Sequence, residues 1–208
     1  MRTSFDFVAP VYDFLAYIVY GRNLIRAKKA FIHLVPSNAN LLLMGGGTGN
    51  ILNYLLEKNP SVTVDFVEPS RAMIRIAQKN LEQRFRSKVN FICGDHRAIP
   101  PDKMYDAVTS FFVIDCFQQH EALEFARTIT GPLKENGWWL FADFFYTPSM
   151  FRRALIWFMY RFFRLVAGIS ARQLPDYNQL FKQLNFTEKY QEPFLGGLIR
   201  SKAFCRIS

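Results

Sequence analysis

The chain has 208 residues, enough for one full core with room for an insertion but not for two large domains. Apolar residues at 50% and charged residues at 21% exclude disordered, collagenous and coiled-coil classes. Lys and Arg number 26 against 17 Asp and Glu, a net charge of +9 that suits an anionic ligand, a membrane surface or nucleic acid without choosing among them. The aromatics reach 16% and crowd into the first twenty residues and into 138–163, a pattern that hints at an apolar pocket. Cys93, Cys116 and Cys205 show neither CxxC spacing nor histidine partners at metal-ligand intervals, so reduced thiols in a cytoplasmic protein are expected. No signal peptide is expected, because the start lacks a basic segment leading into an apolar one, and residues 11–20 are too short to span and contain Asp13. The longest apolar run, 154–160, is flanked by Arg152, Arg153, Arg161 and Arg164, well short of the ~20 apolar residues that a spanning helix needs.

In chain order, strand and helix alternate. Residues 40–44 (NLLLM) read as a buried parallel strand that ends in Gly45-Gly46-Gly47-Thr48-Gly49, with a helix over 50–58. Residues 62–67 (VTVDFV) read as a second strand, and Pro69 with Ser70 opens a helix over 71–86. Residues 89–93, 107–112 and 138–142 read as further strands, the last preceded by a Glu135-Asn136-Gly137 turn. Such β/α units imply a parallel doubly wound sheet with helices on both faces. The rhythm then breaks into a helical aromatic stretch near 149–167 and a short helix over 176–184. Strands over 186–191 and 198–207, joined across Gly196-Gly197, read as an antiparallel edge hairpin.

In such sheets a ligand sits beyond the carboxyl ends of the strands, where strand order reverses. Gly45-x-Gly47-x-Gly49 follows the first strand and lets a ligand approach the backbone closely; taken alone, it can equally be a tight strand-to-helix turn. Glu68 ends the second strand nineteen residues beyond Gly49, near the ~20-residue spacing at which an acid accepts from ribose hydroxyls. Asp95, in Gly94-Asp95-His96, is placed to accept from the amino group of an adenine, or to form an ordinary Asx turn. Together they describe an adenosine. A nicotinamide or flavin GxGxxG wants glycine at Asn50, and no GK[ST] follows for a triphosphate.

The runs LLLMGGGTG, VDFVEPS, FICGDHRAIP, YDAVTSFFVIDCF and GPLKENGWWLFADFF, in that order over 38–145, resemble the successive motifs of class I S-adenosylmethionine-dependent methyltransferases. FDFVAPVYD and the aromatic insertion further resemble the small-molecule members that include those of ubiquinone and menaquinone biosynthesis. The resemblance implies a Rossmann-like sheet of about seven strands, mostly parallel, with an antiparallel last strand. It puts Gly45, Gly47 and Gly49 under the methionine part of S-adenosylmethionine, Glu68 on the ribose and Asp95 with His96 beside the adenine. Tyr12 falls in an N-terminal helix over the cofactor. Residues 1–208 then form one methyltransferase-like domain with a helical cap at 1–37 and a helical lid at 149–184. Many members carry an acid two positions before the first glycine. Leu43 stands there, so carbonyls near Gly45 and Ser110 are the expected partners of the cofactor's ammonium. The apolar-plus-GGG loop is also similar to that of polyamine aminopropyltransferases, but no carboxylate set for a polyamine is evident.

An activated methyl asks the protein mainly to align a nucleophile and exclude water, with a base within reach of an acidic acceptor proton. Asp115 and Asp143, just past strand ends, are the candidates; the plainer readings are that Asp115 caps a helix and Asp143 pairs with an arginine. His33 and His120 lie in segments read as helix and are taken as surface residues, and Cys116 as a small buried hydrophobe. On a helix, 151–167 places Arg153, Arg161 and Arg164 on one side and Trp157, Phe158, Phe162 and Leu165 on a broad apolar face. That face is either core or a lid over an apolar or aromatic acceptor, with peripheral membrane contact. The leading expectation is methyl transfer to such an acceptor, yielding S-adenosylhomocysteine; the alternative is a non-catalytic cofactor-binding or interaction protein on the same fold. Nucleic acid is not the expected partner, since Ile114-Asp115-Cys116-Phe117 stands where amino-methylating enzymes of that kind carry Asn/Asp-Pro-Pro-aromatic.

Overall fold

In this computed structural model the described residues are 20–150 and 173–206, so the expected helix around Tyr12 and the expected lid at 151–167 lie outside them. Seven strands form one sheet in the order β3-β2-β1-β4-β5-β7-β6. They are β1 (Asn40–Met44), β2 (Thr63–Glu68), β3 (Val89–Cys93), β4 (Tyr105–Phe111), β5 (Leu133–Phe144), β6 (Phe186–Phe194) and β7 (Ile199–Arg206). The first five are parallel, while β7 runs antiparallel to both β5 and β6. This is the expected doubly wound α/β sheet with its antiparallel edge hairpin. Because β2 and β4 flank β1, chain order reverses at β1, and the loops after β1 and β4 open at the switch point.

The sheet is apolar on both faces. Helices α1 (Asn23–Lys29), α2 (Leu52–Lys58) and α3 (Arg71–Asn80) bury Ala27, Leu52, Leu55 and Ala77 against Leu41, Leu43, Phe66 and Leu140. On the other face α4 (Gln119–Thr130) and α5 (Tyr177–Gln183) cover Leu42, Val108, Trp139 and Phe204. The stripe Ala122, Phe125, Ala126 and Ile129 recurs at helical spacing and is buried throughout. Removing the side chain of Phe125 or Ile129 from water contributes roughly 1.5–3 kcal/mol each. Among the described residues no helix is long and apolar enough to cross a membrane.

Two expected elements differ by about five residues or more at one end. The helix expected over 71–86 ends at Asn80, because Asn53 of α2 donates to the Asn80 carbonyl at 2.9 Å and accepts from the Glu82 N–H at 3.0 Å. The chain therefore leaves in an extended Leu81 before a short 3-10 turn, Gln83–Lys88. The strand expected over 138–142 runs from Leu133 to Phe144, and its Glu135-Asn136-Gly137 turn is a bulge within it, with Asn136 at φ 58°.

The amino half of the sheet is tied by Asp65, which is buried. Its carboxylate accepts from Tyr105 Oη at 2.6 Å, Lys103 Nζ at 2.8 Å and Asn90 Nδ2 at 3.1 Å. Burial alone would raise its pKa, but these bonds outweigh it and hold the carboxyl below the usual range.

Candidate functional site

Past β1 the chain turns through left-handed backbone. The Gly45 N–H donates to the Val67 carbonyl at 2.8 Å, with φ 60°. A Cβ on Gly45 would stand 2.4 Å from Cγ2 of Val113, so only glycine lets the loops after β1 and β4 close on each other. Gly47, at φ 58°, is the opposite case, because a Cβ there would meet nothing within 4 Å. The backbone at Gly47 thus faces open space at the switch point, while Gly49 packs its loop against Ala77 of α3.

Glu68 fixes this loop. Its side chain is 6% exposed, and its two oxygens accept from the Gly47 N–H at 3.0 Å and the Ser70 N–H at 2.9 Å. Ser70 in turn caps α3 through Met73 N at 3.2 Å. A carboxylate has about four acceptor positions, so two amides do not exhaust it. Leu43 is buried between Gly46 and the core around Phe66 and so presents no polar group to the loop.

After β3, Asp95 forms the Asx turn, accepting from the Arg97 N–H at 2.9 Å and taking both Arg97 Nε and Nη2 on its carboxylate. That guanidinium is the main reason its carboxyl is lowered to about 2. His96 stands edge-on to Phe125, 5.5 Å between ring centres. Ser110 is fully buried, its hydroxyl accepting from Trp139 Nε1 at 2.9 Å and its backbone lying between Met44 of β1 and Phe141 of β5.

Asp115 and Asp143 come together as a buried acid pair. Phe112 adopts a left-handed φ of 57°, its N–H donating to the Ala142 carbonyl at 2.8 Å, and turns the chain so that Asp115 sits in the Ile114–Cys116 3-10 turn. The Asp115 N–H donates to Asp143 Oδ2 at 3.2 Å, and the Phe144 N–H donates to Asp143 Oδ1 at 2.9 Å. Burial pushes Asp115 up to about 6, against the bonds it receives from Cys116 and Asp143. Asp143 is pushed well above the carboxylate range by burial and then by the charge of Asp115, with the Tyr177 hydroxyl partly countering. Two carboxyls this close in a dry site hold a proton between them. Asp115 therefore does not cap a helix, and Asp143 does not pair with an arginine among the described residues. Cys116 donates its thiol to Asp115 Oδ1 at 3.6 Å, and burial with that neighbour keeps the thiol protonated. Tyr20, its ring tilted against that of Phe144 with centres 4.9 Å apart, lies near the same pair; burial, then Asp115, raises its hydroxyl.

A cavity of about 950 Å³ opens past the end of β5, with Gln118, His120, Phe145, Tyr146, Tyr177 and Arg200 among its walls. It is braced. Gln119 Oε1 accepts from Asp176 N at 2.6 Å while its Nε2 donates to the Asp176 carbonyl at 3.3 Å, and Tyr146 Oη accepts from Leu174 N at 3.3 Å. His120 is exposed in the first turn of α4, as expected of a surface residue on a helix, and borders the rim of this cavity. His33 is exposed, as expected. Tyr20, Tyr177 and Arg200 were not singled out by the sequence, since none sits in a spaced motif and their convergence depends on sheet order. Among the described residues no group of His, Cys, Asp and Glu is placed to hold a metal ion.

Residues 41–137 match the family described as methyltransferase domain. Malonyl-[acyl-carrier protein] O-methyltransferase 2 of Ilyobacter polytropus is 30% identical over 146 residues, covering 69% of this chain and 53% of that protein. Demethylmenaquinone methyltransferase of Thermus thermophilus is 32% identical over 123 residues, covering 56% of this chain and 54% of that protein. The chain spans about half the length of these curated relatives. The structure of Burkholderia thailandensis 1,6-didemethyltoxoflavin-N1-methyltransferase, with 1,6-didemethyltoxoflavin and S-adenosylhomocysteine bound, superposes with a TM-score of 0.70 at 15% identity. That match covers 99% of this chain and 87% of the other, and at such identity the likeness is one of fold.

Proposed function

Since residues 41–137 match a methyltransferase domain and the sheet is doubly wound with an antiparallel edge, we propose that the chain binds S-adenosylmethionine and transfers its methyl group to a small, hydrophobic or aromatic acceptor. The observation that carries this reading is the loop at the switch point, open at Gly47 and clamped by the buried carboxylate of Glu68. The residues present fit the cofactor: the backbone at Gly47, in a loop shaped by Gly45 and Gly49, leaves room for the methionine portion, Glu68 would take the ribose, and Asp95 with His96 would border the adenine. Asp95 does so beside its Arg97 pair. With Leu43 apolar, the carbonyls of Gly45 and Ser110 receive the ammonium. The cofactor supplies a methyl already activated on a sulfonium. Asp115 accepts the proton that the acceptor releases, Asp143 keeps its own proton and positions Asp115, and the Tyr20 and Phe144 rings help exclude water.

Calorimetry tests the cofactor directly. S-adenosylhomocysteine is expected to bind at micromolar level or tighter and NAD not at all; the reverse would remove the assignment. Gly47→Val is expected to fold with a loss of only about 1–2 kcal/mol, the cost of a side chain in left-handed backbone. Its binding of S-adenosylhomocysteine should nonetheless fall below detection, because the side chain fills the space left for the ligand. A thermal melt alongside the titration separates the two effects. Leu43 and the Arg97 pair on Asp95 favour the second reading, a cofactor-binding protein without turnover. Release of S-adenosylhomocysteine from S-adenosylmethionine in the presence of candidate acceptors decides between them.

A further inference from the structure

The cavity past the end of β5 carries a guanidinium in its wall that no described carboxylate pairs with. Arg200 is half-buried in its wall, makes no ion pair among the described residues, and rests its guanidinium 5.0 Å from the centre of the Phe145 ring. Asp143 lies directly across the β5–β7 ladder but has turned its oxygens to the Asp115 and Phe144 amides. Asp176, also in the wall, caps α5 with one carboxylate oxygen through Gln179 N at 3.1 Å, and it forms no described ion pair with Arg200. The chain joining Met150 to Gln173, both of which border this end of the sheet, contains five arginines and neither Asp nor Glu. Nothing in that stretch neutralises Arg200 either.

We infer that this cavity is the acceptor site and that Arg200 binds a carboxylate carried by an aromatic acceptor. A guanidinium stacked on a ring keeps its N–H edge open, and that edge matches a carboxylate in a two-point fork. Phe145 and Tyr177, 4.8 Å apart between ring centres, provide an apolar wall for a planar body. Tyr177 also touches Asp143, so a ring lying on this wall with its acid on Arg200 reaches toward the Asp115–Asp143 pair. Beyond those rings the walls mix the polar Gln118, Gln119, His120 and Asn178 with the apolar Leu174 and Pro175. The acid group would hold the ring in one orientation and reject neutral analogues by leaving Arg200 without a partner.

The inference rests on the methyl-transfer reading, and the experiment keeps the two apart. Hydroxybenzoic, hydroxycinnamic and indolecarboxylic acids are titrated against their own primary amides, with saturating S-adenosylhomocysteine and again without it. At least one acid is expected to bind about tenfold or more tighter than its amide. Arg200→Gln should erase that margin, Arg200→Lys should keep part of it, and both variants should retain the wild-type dissociation constant for S-adenosylhomocysteine. Acids bound no tighter than amides, or a margin that survives Arg200→Gln, overturns the inference. Absence of S-adenosylhomocysteine binding in the unaltered protein would instead strike the methyl-transfer reading, while the titration without it still judges the cavity.

Discussion

Asp115→Asn is expected to lower turnover by about 10²–10⁴-fold, the range that positioned proton transfer contributes, while S-adenosylhomocysteine still binds. The pH profile gives the reason away. Turnover requires Asp115 ionised, and burial has raised it to about 6, so the rate of the unaltered protein should climb through that pH and level off above it. Stability should run the other way. In the unfolded chain an aspartate titrates near ~4, so between that value and about 6 the folded state holds protons that the unfolded state has lost. The contribution is fully present at low pH and is lost as pH rises through the folded value. Replacing the acid with a neutral amide of the same shape should therefore raise stability at neutral pH, by roughly 2–3 kcal/mol. Denaturant unfolding at two pH values, together with a single-turnover assay, checks both signs. A variant that is both slow and less stable at neutral pH would show Asp115 to be scaffold.

Glu68→Ala is expected to weaken S-adenosylhomocysteine binding by about 100-fold or more and to destabilise the protein by roughly 2–5 kcal/mol. The two effects have one origin. The carboxylate holds the Gly47 and Ser70 amides, and its removal leaves both donors without their acceptor in a buried place. Two charge-assisted bonds to the ribose would be lost besides, each worth roughly 1.5–3 kcal/mol. Glu68→Gln keeps an acceptor of similar shape, so it should recover most of the stability but little of the affinity. Equal affinity in the alanine variant would mean that Glu68 serves the loop alone and that the adenosine lies elsewhere.

Much of this was legible in the chain because the features are local. The apolar run at 40–44, the glycine spacing and Glu68 at the end of the next strand are each set by neighbours a few residues away, and the sheet follows from their alternation. The edge hairpin was visible for the same reason. What sequence order hides is convergence across the sheet. Asp115 and Asp143 were each readable as residues past a strand end, but that they share a buried pocket depends on β4 and β5 lying side by side. Arg200 faces Asp143 only because β7 is inserted antiparallel between β5 and β6. Asp95 is a further case, since the sequence favoured the adenine contact over the Asx turn, and the turn forms through Arg97 two residues away. Asn53 ended α3 early by reaching from another helix, which no pattern within 71–86 encodes.

The Asp65 cluster gives the sheet an acid response of its own. Asp65 is held below the normal carboxylate range by Lys103, Tyr105 and Asn90, so what it contributes is present above about pH 4 and disappears as acid protonates it. The Asp115–Asp143 pair at the carboxyl ends responds in the opposite sense, because its protonation removes a repulsion. Mild acid therefore tightens the mouth of the molecule before strong acid loosens its base. The folded chain thus carries two opposed responses to acid, one at each end of its sheet.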